Sequence, residues 1–533
     1  MVHEAVVFLI DVVHDGIFPK ADKKGVEVPV GERSGIPLLE LRGLLSLTRK
    51  AKPRAKEAVV RSRVELGDNG DVGGELKAQS PAKTCIQTLD DSIPGFLGTE
   101  MWNPPTELSE DCLNMNIWVP KNPSGVVLVW IFGGGFFRGS PSISLYDGTV
   151  LAATTKAIVV NINYRVGPFG FLFLGHGSPA SGNMGLLDQQ AALQWINQHI
   201  SSFGGDPSQV TLIGESAGAA SATAHISAPR SYPYFSKVIA NSGSIIHPWA
   251  SRPAYEVLRK SMDLAAKLGC TTDGASADSI HECMTKFSAK EIQAKNNAIW
   301  SEMGSTTTLP FVPIRDDGNF FKEDLYESLY RGAVKKNVSV IIGVVKDEGT
   351  AWLPYYFKNI GLSSSENVKA SGPEDLERLT DLAYKHAMGS FAPYFANSQE
   401  AVQIFIDAYK PVSAQKELKS SANPWEEWMG VMHGYEIEYE FGLPFSNSSL
   451  YKESELAGEQ AISRLMMEMI GHFAKTGTPS QYWPKYSYRN KQSLVIDLAT
   501  AYDGPTLIKD FHRKYCDAID NAKIATRRGY QQQ

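Results

Sequence analysis

Gly214-Glu215-Ser216-Ala217-Gly218 constrains what this chain can fold into more than any other stretch. It follows an apolar run at 210–213 that reads as a strand, and it leads into a small-residue segment that reads as a helix. Where strand and helix backbones cross in so tight a turn, a flanking side chain would clash, and glycine removes it. Ser216 would then stand on the turn with its hydroxyl exposed, ahead of a helix N-terminus that favours developing negative charge. Ser216 is the candidate nucleophile. An ordinary strand-to-helix turn can carry the same five letters, so its partners decide.

The first partner is Gly133-Gly134-Gly135-Phe136-Phe137, directly after the apolar run 126–132. A glycine triplet behind a buried strand lets backbone N–H groups approach a ligand together, which stabilising an oxyanion requires. No G-K-[ST] or G-x-G-x-x-G pattern accompanies it, which argues against a phosphate cradle. The amides of Gly134, Gly135 and Ala217 are assigned as the oxyanion hole. In folds with such an elbow the acid and then the histidine follow the serine along the chain. The strand-like run 338–345 ends in Lys346-Asp347-Glu348-Gly349, a carboxylate at the edge where open α/β sheets build their sites. Glu348 is chosen over Asp347. Of the eleven histidines, four lie beyond it: His386, His433, His472 and His512. His386 falls in a helix-like stretch, whereas His433 stands out within Trp428-Met429-Gly430-Val431-Met432-His433-Gly434-Tyr435. His225, close behind the elbow, reads as structural.

The chain has 533 residues, 43% of them hydrophobic, enough for one large domain. Strand-like runs at 126–132, 157–164, 210–213, 237–241, 338–345 and 493–497 alternate with helical patterns, the clearest within 183–202 and 453–475. The alternation predicts an α/β fold, a mostly parallel central sheet with helices on both faces. No run reaches transmembrane length. The apolar stretch 5–13 is interrupted by Asp11 and lacks a basic start, so it is not read as a signal peptide. The end of the chain, Tyr530-Gln531-Gln532-Gln533, shows no lipid-anchor signal. A net charge of −6 would draw cations only modestly.

Through these residues and the stretches around them, the chain resembles the cholinesterase and type-B carboxylesterase branch of the α/β-hydrolase fold, and most of all its acetylcholinesterase-like members. Matching stretches are Pro94-Gly95-Phe96, Glu100-Met101-Trp102-Asn103-Pro104, Ser109-Glu110-Asp111-Cys112-Leu113, residues 130–137, Asn163-Tyr164-Arg165-Val166-Gly167, Phe203-Gly204-Gly205-Asp206-Pro207, the elbow, and residues 428–436. The resemblance implies a hydrolase domain over 83–520 with Ser216 as nucleophile, Glu348 as acid and His433 as base. It also implies Gly134, Gly135 and Ala217 as the oxyanion hole, in agreement with the choice made from the residues. Acyl transfer from an ester to Ser216, followed by hydrolysis of the acyl-enzyme, is the expected reaction, with no metal or cofactor.

The resemblance also implies a cationic ester as substrate, because Trp102 stands where the family receives a quaternary ammonium and an indole face attracts a cation. Asp90 matches a carboxylate at the pocket rim, and Glu215 adds negative charge beside the nucleophile. On the acyl side, Thr307 and Leu309 stand where acetyl-selective members place phenylalanines, just before Phe311-Val312-Pro313. Trp249 matches the other acyl wall. Ala351 occupies a position often aromatic, while Trp352 and Tyr355 keep neighbouring aromatics, Phe137 replaces a tyrosine, and Trp300 is a rim aromatic. Smaller walls predict poor discrimination between acetyl and butyryl groups.

The resemblance pairs Cys85 with Cys112 and Cys270 with Cys283 as disulfides; from the residues alone the short spacings would also suit metal ligands, but no Cys-x-x-Cys or histidine pair supports that. Cys516 is left over, either free or intermolecular, which would allow a homo-oligomer. Disulfides, with the acceptor sequons at Asn337 and Asn447, lead us to expect a secreted or cell-surface glycoprotein. Residues 1–82 depart from the family: only Gly35-Ile36-Pro37 echoes its opening strands. A basic run through Arg42, Arg49, Lys50, Lys52, Arg54, Lys56, Arg61 and Arg63 occupies this segment instead. Without interleaved aromatics or a binding motif it does not predict nucleic-acid binding. The stretch 392–423 lacks the strand expected before the histidine segment, and 521–533 reads as a tail. A general carboxylesterase and a non-catalytic adhesion-type relative are the alternatives, though the adhesion class typically loses the nucleophile retained here.

Overall fold

The structure, a computed structural model, describes residues 5–11, 60–65, 81–272, 274–303, 309–352, 398–408, 420–487 and 489–531. Thr307, Tyr355, His386, Gly35-Ile36-Pro37 and the basic run from Arg42 to Lys56 lie outside them. Twelve strands are described: β1 (Ala5–Asp11), β2 (Val60–Glu65), β3 (Thr84–Cys85), β4 (Leu108–Ser109), β5 (Asn114–Val119), β6 (Val127–Ile131), β7 (Ile158–Ile162), β8 (Val210–Glu215), β9 (Lys237–Asn241), β10 (Ser339–Val345), β11 (Gln492–Ile496) and β12 (Thr506–Lys509). All six strand-like runs of the sequence are among them, with no end shifted by more than two residues.

Ten strands make the main sheet, in the order β12-β11-β1-β10-β9-β8-β6-β7-β5-β2, while β3 and β4 form a small second one. The five central strands, β6 to β10, run parallel; β5 and β2 on one side and β1, β11 and β12 on the other are antiparallel. Every residue of β6, β7 and β8 is buried, as parallel strands covered on both faces require. Leu128 and Trp130 share a small cavity with Ile470 of a long helix, Glu453–Thr476, on one face. Val127 and Ile158 point the other way, toward Ile200 after the helix Met184–His199. Helices therefore cover both faces.

The N-terminal apolar run enters the sheet. β1 lies antiparallel to β10 from Ala5↔Val345 to Asp11↔Ser339, and antiparallel to β11 through Ala5↔Ile496 to Val7↔Leu494. Within 392–423, the described part is a helix, Gln399–Ala408, together with 398 and 420–423, and no strand. β1 thus occupies the place between β10 and β11, where an open edge of unpaired N–H and C=O groups would otherwise face a neighbouring strand. β2 pairs antiparallel with β5, so the segment that departs from the family supplies strands at two places in the sheet. At the other end a helix, Arg513–Gln531, runs through the expected tail.

Both disulfides are formed, Cys85–Cys112 and Cys270–Cys283, and Cys516 is exposed with a free thiol. Among the described residues no helix is long and apolar enough to cross a membrane.

Candidate active site

The elbow is built as its letters require. β8 ends at Glu215, Ser216 takes φ 56° and ψ −121°, and the helix Ala217–Ile226 begins at the next residue. Such a backbone costs a non-glycine residue about 1–3 kcal/mol and persists only where its surroundings hold it. The surroundings are close: a Cβ on Gly218 would lie 1.9 Å from the Ile131 carbonyl oxygen, and one on Gly214 2.3 Å from the Gly218 carbonyl carbon. The Ser216 N–H donates to the Asn241 carbonyl at 2.8 Å, tying the turn to the end of β9. Ser216 is 6% exposed.

Beyond β6, Gly134 has φ 103° and Gly135 φ 61°, and the loop leans on the elbow: a Cβ on Gly133 would lie 3.0 Å from Ser216 Cβ. Among the described residues no acceptor takes the N–H of Gly134, Gly135 or Ala217. Gly134 and Gly135 line a cavity of about 90 Å³ together with Ser216, His433, Glu215, Trp102 and Trp352.

Glu348 follows β10 and accepts the Val345 N–H at 3.1 Å; its Oε2 is 2.6 Å from His433 Nδ1. Asp347 turns away. Its Oδ2 accepts the Val431 N–H at 2.9 Å while its own N–H donates to the Val431 carbonyl at 2.9 Å, so it anchors the loop that carries the histidine. The two neighbouring acids thus hold the imidazole and its backbone respectively. His433 Nε2 lies 3.0 Å from Glu215 Oε1, and no hydrogen bond joins the ring to Ser216 Oγ. Burial by itself would lower the imidazole pKa, but the carboxylates of Glu215 and Glu348 outweigh it and hold the ring well above its usual range. Burial raises Glu348 and the facing imidazolium lowers it, with a net depression.

On the side where the resemblance places a cation, a Cβ on Gly434 would lie 3.0 Å from Trp102 Cη2 and 3.7 Å from Glu215 Oε1. Indole and carboxylate therefore flank one glycine. Tyr435 meets Trp102 edge-on, ring centroids 6.3 Å apart. Trp352 lies 5.7 Å from the His433 ring. Asp90 is brought near the site but is engaged: its carboxylate takes the Arg138 guanidinium and the Ser92 hydroxyl and N–H. Burial pushes Asp90 up, yet Arg138 and Ser92 bring it down to about 2. Of the residues expected on the acyl side, Leu309 abuts Gly135, its Cδ1 3.4 Å from where a Cβ would stand. Phe311 is buried in the core and Trp249 packs beside Phe136, centroids 6.4 Å apart; neither lines the cavity. Phe137 and Trp300 meet at 4.8 Å. His225 is the structural histidine expected, between Ser231 Oγ at 2.8 Å and Gln189 Oε1 at 3.2 Å, with burial holding its pKa near 3.

Sequence reasoning missed Arg138 and three buried glutamates. Arg138 lines the cavity. Glu436 and Glu440 are buried beside Glu215, and Glu438 is buried on another side near Glu459 and Tyr451, at 6%, 3% and 5% exposure; burial raises all three, Glu438 and Glu440 to about 7. Glu440 Oε1 accepts from Asn241 Nδ2 at 2.7 Å, which links it to the residue that holds the Ser216 N–H. The alternation of acids with Tyr435, Ile437, Tyr439 and Phe441 was the available signal, because charges spaced through an apolar run must either face water or be buried at a cost.

The family model described as the carboxylesterase family matches residues 71–384 and 363–514. The chain is 38% identical over 467 residues to acetylcholinesterase 4 of Caenorhabditis briggsae, covering 78% of this chain and 76% of that protein. It is 36% identical over 455 residues to a cholinesterase of Mus musculus, covering 78% and 74%. Against an acetylcholinesterase of Bungarus fasciatus it is 36% identical over 502 residues, covering 85% and 80%.

Proposed function

The chain belongs to the carboxylesterase family, and from that premise we propose that it hydrolyses choline esters through an acyl-enzyme on Ser216. The observation that carries the reading is the pairing of His433 Nδ1 with Glu348 at 2.6 Å in the cavity where Ser216 stands on its strained turn. Ser216 Oγ attacks the ester carbonyl, His433 takes its proton, and Glu348 fixes the tautomer and stabilises the imidazolium. The N–H groups of Gly134, Gly135 and Ala217 receive the oxyanion. His433 then protonates the departing alcohol, and water repeats the sequence on the acyl-enzyme.

For this chemistry the ring has to give up its proton and its contact with Glu215 and turn Nε2 toward Ser216. Catalytic hydrogen bonds often tighten only once substrate is bound. Trp102 and Glu215 hold the cationic end of the ester. Leu309 beside Gly135 leaves an acyl wall with less bulk than an aromatic, and we propose turnover of both acetyl and butyryl esters within about tenfold of each other. Two disulfides and two exposed sequon asparagines, Asn337 and Asn447, support a secreted glycoprotein, and exposed Cys516 offers a bridge between copies. The experiment is labelling by an organophosphate followed by peptide mapping. The label is expected on Ser216 with loss of acetylthiocholine hydrolysis; a label elsewhere, or hydrolysis that survives full labelling, overturns the reading.

A further inference from the structure

The wall that would greet a cation carries a fixed positive charge. Arg138 lines the Ser216 cavity. Its backbone is set by the glycine loop, since its N–H donates to the Gly134 carbonyl at 3.1 Å. From there the side chain crosses to the disulfide loop that bears Trp102, and its guanidinium Nη1 reaches Asp90 Oδ2. The guanidinium carbon also lies 5.3 Å from the centre of the Phe137 ring.

Asp90 is held by hydrogen bonds on both its backbone and its carboxylate. Its N–H donates to Asn103 Oδ1 at 2.7 Å, Asn103 Nδ2 donates back to its carbonyl at 2.9 Å, and Ser92 N–H donates to its Oδ1 at 3.0 Å. Gln87 clamps the same two loops, bonding Gly139 N–H and carbonyl at 2.8 Å each. The side chains of Arg138 and Asp90 are 17% and 2% exposed, so salt in solution screens the pair little. The depressed carboxyl of Asp90 accords with that partnership.

We infer that Arg138 is a specificity-determining residue of this pocket: by neutralising Asp90 it leaves Trp102 and Glu215 to hold a cationic ester, and it narrows the preference for cationic over uncharged esters. The inference rests on the esterase reading above. A carboxylate alone at this place would attract a quaternary ammonium, whereas an ion pair presents opposed charges whose fields largely cancel at the distance of a bound ligand.

The test compares kcat/KM for acetylthiocholine and for its uncharged carbon isostere, 3,3-dimethylbutyl thioacetate, in the full chain at low and at physiological ionic strength. Arg138→Gln exposes the Asp90 charge, and the ratio of cationic to neutral ester is expected to rise about fivefold at low salt and less at physiological salt. Asp90→Asn removes the charge opposing Arg138, and the ratio is expected to fall below wild type. The double variant should return to within about twofold of wild type, and Arg138→Lys should keep the wild-type ratio. If Arg138 only pins the two loops together, Arg138→Gln slows both esters by one factor and leaves the ratio unmoved, which overturns the inference; so do single variants that shift the ratio in the same direction. Should Arg138→Gln fail to fold, Asp90→Asn and Arg138→Lys decide, one by lowering the ratio and the other by keeping it. Should the wild type hydrolyse neither ester, the esterase reading fails by itself. Quenching of tryptophan fluorescence by tetramethylammonium then reads the same ordering: tighter binding than wild type in Arg138→Gln, weaker in Asp90→Asn, and no difference among them overturns the inference.

Discussion

The two sides of the Ser216 cavity are built from different materials. One side is backbone: the Ser216 turn and the glycine loop, held by approaches so close that a Cβ on Gly218 would fall 1.9 Å from a carbonyl oxygen. The other is a set of ionisable side chains, with His433 between Glu215 and Glu348 and with Glu436 and Glu440 buried behind. A backbone wall is unforgiving and insensitive to pH. A wall of coupled charges tolerates substitution of size but shifts its protonation with each change of neighbour. The comparison teaches that geometry and proton inventory are supplied by separate parts of the fold.

The most severe break is at the proposed nucleophile. Ser216→Ala should reduce acetylthiocholine turnover about 10⁴- to 10⁶-fold with substrate affinity retained, checked by steady-state kinetics and equilibrium binding. Next is the backbone wall itself. Gly218→Ala should lower stability by about 3 kcal/mol or abolish folding, because the added methyl meets the Ile131 carbonyl rather than a movable side chain; a denaturant melt reads it.

The charged wall should answer to pH. The His433 pKa is raised by Glu215 and Glu348, and a base works only when deprotonated, so activity should rise with pH through that raised value. Removing one carboxylate with Glu215→Gln lowers the imidazole pKa and should move the acid limb of kcat/KM to lower pH, the reverse of what simple damage to the site would do.

The smallest effect is on stability. Glu438 and Glu440 titrate near 7 in the fold against 4.5 as the ordinary value, so the native state holds more protons than the unfolded chain between those limits. Their neutral forms stabilise fully below 4.5, and that contribution is lost as pH rises through about 7. The melting temperature of wild type should therefore fall from pH 5 to pH 8, and Glu440→Gln, which stays neutral and can still accept from Asn241, should flatten the fall.

What could be read in advance follows the same division. The elbow, the glycine triplet and the central strands β6 to β10 announced themselves, because glycine marks close approach and β-branched runs mark buried strands wherever they occur. Glu348 was separable from Asp347 only as a choice; the structure separates them by giving one the imidazole and the other the Val431 N–H. β5 escaped notice since its Asn114 and Asn116 break the apolar pattern; both are buried, and Asn116 is satisfied by the Ala82 N–H and the Pro141 carbonyl. The placement of β1 between β10 and β11 was equally hidden, for pairing across more than three hundred residues leaves no local trace.

From its sequence alone this chain declares a sharp strand-to-helix turn at Ser216, a glycine loop beside it and the family to which both belong, since each is a short-range demand of backbone sterics on residue type. Which nitrogen of His433 faces which carboxylate, that Asp90 is matched by Arg138, and that three glutamates lie in the interior were decided by the tertiary structure. Electrostatic partnership depends on distance and burial, and neither exists until distant segments have packed.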